Sequence, residues 1–264
     1  AQGPATDRVY QLVVADYDGE NENVIMESTD PIMSPAWSPD SRRLAYVSFE
    51  GNRSSIFVQQ LRTGNRTQVS NDPGINGAPS FSPDGRQLVV TLGGVDGNLD
   101  LYIIDVTTRE KRRLTTHRAI DTEGTWSPDG RYIYFTSDRA GGPQIYRIGA
   151  TGGTPERVTF EGSYNARPRL SPDGKRLAVL HLDRGNYRIG VVDLRNRSLM
   201  VLSDGNQDES PSFAPNSDIL IYATRQSGGN GVLATVSADG QIRQTLSSGR
   251  GDVREPVWSP FPRF

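Results

Sequence analysis

Cysteine is absent from the 264-residue chain, which excludes disulfides, thiolate chemistry and every metal or iron–sulfur site built on sulfur. Histidine is almost absent too: His117 and His181 are the only two, too few for a histidine-rich metal centre. No apolar run approaches the ~20 residues that span a bilayer as a helix, and no charged-then-apolar leader opens the sequence. An excess of either charge is also missing. Lys and Arg number 29 against 31 Asp and Glu, a formal net charge of −2. The basic surface that attracts phosphate backbones is therefore lacking, and nucleic acid is not an expected partner. No Gly-x-Ser-x-Gly elbow surrounds a serine, and no glycine-rich phosphate cradle introduces a helix.

Turn residues are plentiful. The 28 Gly and 17 Pro make up 17% of the chain, against a usual ~12%. Short apolar runs recur between them, so the excess reads as many turns and not as disorder. Six times, a large apolar residue precedes Ser-Pro-Asp or a variant: Trp37-Ser38-Pro39-Asp40, Phe81-Ser82-Pro83-Asp84, Trp126-Ser127-Pro128-Asp129, Leu170-Ser171-Pro172-Asp173, Phe213-Ala214-Pro215-Asn216 and Trp258-Ser259-Pro260-Phe261. The prolines are 44, 45, 44, 43 and 45 residues apart, a period that defines a repeat architecture. Pro presets φ, Asp can bond the backbone ahead of it and Gly supplies a positive φ, so the motif reverses the chain between two strands.

Each unit reads as four strands rich in Val, Ile, Leu, Tyr and Thr. One follows the motif, as in Arg43–Val47, Gln87–Leu92, Tyr132–Thr136, Arg176–Leu180 and Ile219–Ala223. A second spans Ile56–Gln60, Leu101–Val106, Gln144–Ile148, Ile189–Leu194 and Val232–Val236. A third, more polar, spans Arg66–Val69, Arg112–Thr115, Glu156–Thr159, Leu199–Leu202 and Ile242–Leu246, and a fourth, of the Ala78–Phe81 type, runs into the next motif. Four-stranded units of this length repeated radially make an all-β, six-bladed β-propeller, with the Trp or Phe filling the gap between sheets. Val9–Ala15 and Asn23–Met26 supply outer strands for a blade whose inner strand carries Trp258. The ring is thus expected to close by mixing N- and C-terminal strands. The strand count falls one short of the 24 that six blades require, so residues 1–264 read as a propeller domain cut from a longer protein, with a strand missing upstream of Ala1.

No constellation for catalysis emerges. His181 falls in or just past an apolar strand and His117 in a loop, and both read as packed or solvated. Asp16-x-Asp18-Gly19-x-Asn21 has its glycine in the wrong place for a calcium loop and no closing glutamate, so an Asp-Gly hairpin is expected instead. The run Arg109–Arg113 reads as a solvated edge strand. What remains is the set of loops entering each inner strand, which in propellers surround one mouth of the channel. Here the candidate partner-binding residues are Ser34, Asn76, Gly77, Ala78, Thr122, Glu123, Asn165, Arg167, Asp208, Glu209, Arg254 and Glu255. Glu123, Glu209 and Glu255 occupy equivalent or adjacent repeat positions. Like-charged carboxylates at one mouth would favour a segment carrying donors, Lys or Arg, or a divalent cation such as calcium in its place. The alternative is that Arg167 and Arg254 on the same rim cancel that field.

Met33-Ser34-Pro35-Ala36-Trp37-Ser38-Pro39-Asp40, Leu44-Ala45-Tyr46-Val47, Asn76-Gly77-Ala78-Pro79, Phe135-Thr136-Ser137-Asp138 and the Trp258-Ser259-Pro260 terminus together resemble the propeller domain of the TolB family, across essentially the whole chain. The resemblance implies a non-catalytic periplasmic component of the Tol–Pal system, with an α/β domain ahead of the propeller. Implied partners are the peptidoglycan-associated lipoprotein Pal at the propeller, TolA through the N-terminal region, and bacteriocin translocation peptides. Attachment to the outer membrane would be peripheral, through Pal, and the implied state is a monomer without a resident cofactor, serving envelope integrity and constriction at division. Ala78 and Thr122 match the Pal-facing loops. The chain departs at Ile75, where relatives carry histidine, and at Gly124, where proline is common. The Ser-Pro-Asp-Gly repeat is shared with peptidase-gating propellers, which leaves a hydrolase fragment as one alternative and a cation- or small-ligand-binding propeller as another.

Overall fold

The computed structural model describes residues 8–94, 97–225, 229–246 and 251–261. A hairpin of β1 (Tyr10–Val14) and β2 (Asn23–Ser28) precedes five antiparallel four-stranded sheets. Blade 1 is β3 (Ile32–Trp37), β4 (Arg43–Ser48), β5 (Ser55–Gln60) and β6 (Arg66–Ser70); blade 2 is β7 (Asn76–Phe81), β8 (Gln87–Gly93), β9 (Leu99–Asp105) and β10 (Lys111–Arg113). Blade 3 is β11 (Asp121–Trp126), β12 (Tyr132–Ser137), β13 (Gln144–Gly149) and β14 (Glu156–Arg157); blade 4 is β15 (Asn165–Leu170), β16 (Arg176–Asp183), β17 (Asn186–Asp193) and β18 (Leu199–Val201). Blade 5 is β19 (Glu209–Phe213), β20 (Ile219–Arg225), β21 (Gly231–Ser237) and β22 (Arg243–Thr245). This is an all-β propeller with four-stranded blades, each strand paired with its sequence neighbour.

The Ser-Pro-Asp turns form as their chemistry dictates. The Ser38 hydroxyl donates to Asp40 at 2.5 Å, Asp40 accepts the Arg42 N–H at 3.1 Å, and Ser38 Oγ accepts the Arg43 N–H at 2.9 Å. The same Ser-to-Asp bond recurs at Ser82–Asp84, Ser127–Asp129 and Ser171–Asp173. Gly85, Gly130 and Gly174 adopt φ of 70°, 72° and 70°, and where the glycine is missing Ser41 and Ser217 take 56° and 67°. An arginine just past the turn then reaches the next blade's turn: Arg43 Nη2 donates to Gly85 O at 2.8 Å, and Arg176 Nη2 to Ser217 O at 2.6 Å.

Second strands are buried on both faces because each sheet is packed between two others, so β4, β8, β12 and β16 read as nearly continuous apolar runs. Outer strands such as β10 and β22 are wholly exposed and correspondingly polar. The core therefore lies between blades: Val47, Ile56 and Val69 meet Phe81, Leu88 and Val90, and Leu101 and Ile103 meet Trp126, Ile133 and Phe135. Phe213 packs with Ala178 and Ile189 across blades 4 and 5. The β1–β2 hairpin covers blade 1, with Leu12, Ile25 and Met26 against Leu44, Tyr46 and Trp37.

The sixth blade differs from expectation. Among the described residues five four-stranded sheets are present, and the Trp258 segment forms no strand. A strand exists only by pairing with a neighbour, and β1 and β2 pair with each other and not with this segment. Pro256 and Pro260 also remove two ladder donors from it. Side-chain bonds fix its place instead. Trp258 N–H donates to Ser212 Oγ at 3.1 Å in blade 5, while Trp37 Nε1 donates to Val257 O at 3.3 Å and Ser41 Oγ to Pro260 O at 3.0 Å from blade 1. Ala1–Thr6, the stretch bearing on the expected upstream strand, lies outside the described residues.

Candidate functional site: the rim of inner-strand bulges

At one position in every repeat, five residues before the motif proline and never a glycine, the backbone is left-handed: Ser34 (φ 51°), Ala78 (46°), Glu123 (58°), Arg167 (54°), Ser210 (55°) and Glu255 (51°). At five of them the inner strand carries a bulge, with the register shifting between Met33 and Ala36, Gly77 and Ser80, Thr122 and Thr125, Ala166 and Arg169, and Glu209 and Ser212. Such a conformation costs a residue with a Cβ about 1–2 kcal/mol. A bulge frees one residue from the ladder and turns it outward. Proline follows in five of the six repeats; it has no N–H to lose to the interrupted ladder.

The bulged residues hold one another across blades. The Ser34 N–H donates to Glu255 Oε2 at 2.5 Å, and the Arg167 N–H donates to Glu123 Oε2 at 3.0 Å and to Thr136 Oγ1 at 3.1 Å. Arg167 Nε meets Glu123 Oε1 at 3.1 Å and Nη1 donates to Ser210 Oγ at 2.7 Å. Nη1 also lies 3.8 Å from Glu209 and 4.0 Å from Glu255. Burial opposes the Arg167 charge, but Glu123, Glu255 and Glu209 outweigh it and hold the guanidinium above its ordinary pKa. The three glutamates thus meet around a cation supplied by the chain itself, which is the cancelling arrangement. Arg254 instead pairs with Asp252 at 2.9 Å. Among the described residues no group of three or more acidic or histidine side chains is arranged to hold a metal ion.

Three expected contact residues lie behind the rim. Asn76, Asn165 and Asp208, each two residues before a bulged position, are buried together with Asp121 at the same place. Asn76 Oδ1 accepts the Ser70 hydroxyl at 2.6 Å and its Nδ2 donates to Asp72 O at 2.8 Å. Asp121 receives both Arg139 Nη2 bonds at 2.9 and 2.8 Å. Asn165 faces His181 Nδ1 at 3.0 Å, and Asp208 accepts the Thr224 hydroxyl at 2.5 Å. These side chains brace the loops from within. Burial pushes the His181 imidazole below its ordinary pKa, against the pull of Asp183 and Glu161. His117 Nδ1 accepts the Ala119 N–H at 3.0 Å, so both histidines have local structural partners.

Ser34, Gly77, Ala78, Thr122, Glu123, Arg167, Glu209, Arg254 and Glu255 remain partly or fully accessible. Met33, Ile75 and Ile120 stand exposed beside them. At Gly124 an added Cβ would come 2.8 Å from Val89 Cγ2, so the residue is glycine because blade 2 packs there. Thr91 and Thr136, which the sequence reading did not single out, also serve the rim: the Glu123 N–H donates to Thr91 Oγ1 at 3.1 Å and the Thr136 hydroxyl to Glu123 at 3.0 Å. Elsewhere, Asp16 accepts the Gly19 N–H at 3.0 Å and Gly19 has φ 88°, a hairpin turn as expected.

A family profile described as the TolB β-propeller domain matches residues 1–262. A Tol–Pal system protein TolB of Bordetella pertussis is 50% identical over 255 residues, covering 96% of this chain and 58% of that protein. One from Xanthomonas campestris pv. campestris is 51% identical over 263 residues, covering 99% of this chain and 60% of the relative. The crystal structure of TolB from Acinetobacter baumannii superposes with a TM-score of 0.90 at 46% identity, over 95% of this chain and 63% of that one. The chain thus spans about three fifths of the length of the curated relatives it matches.

Proposed function

The chain belongs to the TolB β-propeller family, and from that premise we propose that it is the protein-binding propeller of a periplasmic Tol–Pal component whose bulged rim docks the lipoprotein Pal. The observation that carries this reading is the rim itself: six left-handed, non-glycine residues at one repeat position, several braced from neighbouring blades. Strain maintained in register over a whole repeat array belongs to a preorganised binding surface more than to a solvated edge.

In this reading residues 1–264 form one propeller domain. The Arg254–Phe261 segment supplies the inner element of a sixth blade whose outer strands are β1 and β2, and the ring closes there. The exposed Met33, Ile75 and Ile120 give the docking face its apolar component, and Ala78 and Thr122 follow Ile75 and Ile120 closely in the chain. TolA is engaged by the part of the full-length relatives that precedes this region, and bacteriocin translocation peptides compete for the same face. The role is one of scaffolding at the outer membrane, in envelope integrity and constriction at division, without catalysis. No helix among the described residues is long and apolar enough to cross a membrane.

Calorimetric titration of the chain with the soluble domain of Pal tests the reading. Saturable binding abolished by Thr122→Trp, with an unchanged melting curve, is the expected result. Binding that survives bulky substitutions at both Thr122 and Ile75 would move the interface off the rim.

A further inference from the structure

The rim amides fall into two classes. Ser34, Glu123 and Arg167 donate to side chains of a neighbouring repeat, namely Glu255, Thr91, and Thr136 with Glu123. Thr91 and Thr136 occupy one register position, opposite Gly77 and Thr122. In the other blades that position holds Val47 opposite Met33, Leu180 opposite Ala166 and Ala223 opposite Glu209. Val47 packs with Phe81 and Val90 of the following blade, as Thr91 and Thr136 reach the following blade through their hydroxyls. The amide following Thr91 in the ring is that of Glu123, and the amide following Thr136 is that of Arg167. Carried over by repeat position, the Ala78, Ser210 and Glu255 amides correspond to Val47, Leu180 and Ala223 in the preceding blade, and none of these side chains carries an acceptor. No side-chain acceptor reaches those three amides among the described residues.

Two of the three rim carboxylates are meanwhile committed, and the third, Glu209, faces the Arg167 guanidinium at 3.8 Å. Glu255 holds the Ser34 amide and Glu123 holds Arg167 by both backbone and side chain. What the rim has left to offer is therefore donors. A donor that is left without an acceptor when covered costs about as much as a lost hydrogen bond, so an occupant must bring acceptors to these places.

We propose that the backbone N–H groups of Ala78, Ser210 and Glu255 are the anchoring donors of the rim, and that they take acceptor oxygens from an extended segment of the docking protein. The proposal deepens the docking reading given above and rests on it. It reverses the expectation that the glutamates would call for a cationic segment. Specificity is set one layer down: a buried Thr at the register position silences an amide, and an aliphatic residue leaves it open.

Two measurements decide the matter. In the free chain, amide hydrogen exchange followed by NMR should be slower at Glu123, Arg167 and Ser34 than at Ala78, Ser210 and Glu255. Val47→Thr should slow exchange at Ala78, and Thr91→Val should accelerate it at Glu123. In titrations with the soluble domain of Pal, Val47→Thr should weaken binding about three- to tenfold, the worth of one hydrogen bond, while the hydroxyl-free Val47→Ile stays within about twofold. Ala223→Ser, aimed at the Glu255 amide, repeats the test should Val47→Thr fail to fold. Comparing titrations at low and high salt separates a carboxylate acceptor, whose affinity falls with screening, from a backbone carbonyl, whose affinity does not. An Ala78 amide already as protected as that of Glu123, or capping that leaves affinity unchanged, overturns the proposal. Failure of the unaltered chain to bind sinks the docking reading and the proposed ligand together, and the exchange rates still report which amides are open.

Discussion

The backbone N–H and the side-chain Nε of Arg167 both end on the carboxylate of Glu123, one repeat earlier, at 3.0 and 3.1 Å. A bond of each kind to one acceptor fixes the inner strand of blade 4 against that of blade 3 in position and in orientation. The same guanidinium touches Ser210 and faces Glu209 and Glu255, so one side chain ties together three blades and the C-terminal segment. Arg167→Ala should therefore cost about 2 kcal/mol, since partly buried carboxylates lose their counter-charge. Combining it with Glu123→Gln should cost clearly less than the two single changes added. Urea denaturation of all four proteins closes the cycle, and strictly additive costs would show that the pair is not coupled.

Ala78 has φ 46°, a conformation in which a β-branched residue is a genuine outlier. Ala78→Val should accordingly lose about 1–2 kcal/mol of stability in addition to any loss at a bound partner. Ala78→Asn, which tolerates the left-handed region, should leave the melting temperature nearly unchanged. A melt that ranks Val and Asn alike would contradict the strained geometry of the rim.

Gly124 separates β11 from Val89 of blade 2, and a Cβ there would sit 2.8 Å from Val89 Cγ2 and 3.3 Å from Leu101 Cδ2. Gly124→Ala should destabilise the fold by about 1–3 kcal/mol through overpacking. Val89→Ala in the same background should restore part of that loss, although alone it opens a cavity. Thermal denaturation of the three variants reads the sign of the interaction directly.

The Ser-Pro-Asp turns should control behaviour in acid. The Ser127 hydroxyl, the Arg131 N–H and the Arg131 guanidinium hold the Asp129 carboxyl at about 2, below the ~3.9 of an unfolded aspartate. Asp84 is lowered by the same turn geometry, Ser82 first. Aspartates at these turns bind protons less readily folded than unfolded. Their contribution is complete above about pH 4 and is lost as pH falls towards 2. Asp129→Asn should flatten stability over that window and leave neutral-pH stability slightly lower. An unchanged acid transition, followed by circular dichroism, would assign acid sensitivity elsewhere.

The blades were legible because each strand announces itself locally. Tyr132–Ser137 and Gln87–Gly93 exceed their expected ends by a single residue, since apolar runs and turn residues bound them within the repeat. The strands that fell short of expectation, such as Lys111–Arg113 and Glu156–Arg157, are outermost, where a ladder has a partner on one side alone. The rim was legible as a place and not as a mechanism. Asn76, Asn165 and Asp208 look in sequence like exposed polar loop residues, yet they turn inward to satisfy the loop backbone. Thr91 and Thr136 look like ordinary strand residues, and their partners lie 32 and 31 residues away. No local pattern encodes a bond between blades. The sixth blade was legible as a motif at Trp258, but a motif does not create the neighbouring strand that a ladder needs.

The C-terminal segment is attached by separate bonds, with Asp252 Oδ1 accepting the Gly231 N–H at 2.6 Å and the Val253 N–H donating to Gly231 O at 3.0 Å at one end, and Pro260 O accepting the Ser41 hydroxyl at the other. Bonds of this kind can be released one at a time, which makes the boundary between blades 5 and 1 a seam that can part while every four-stranded sheet stays intact. Glu255 lies on that seam and is also part of the rim, held by Ser34 and facing Arg167. Anything that grips the rim therefore also acts as a clasp across the seam. Its binding free energy would be felt as resistance to fraying, and proteases that nick the loosened tail would report occupancy of a surface they never touch.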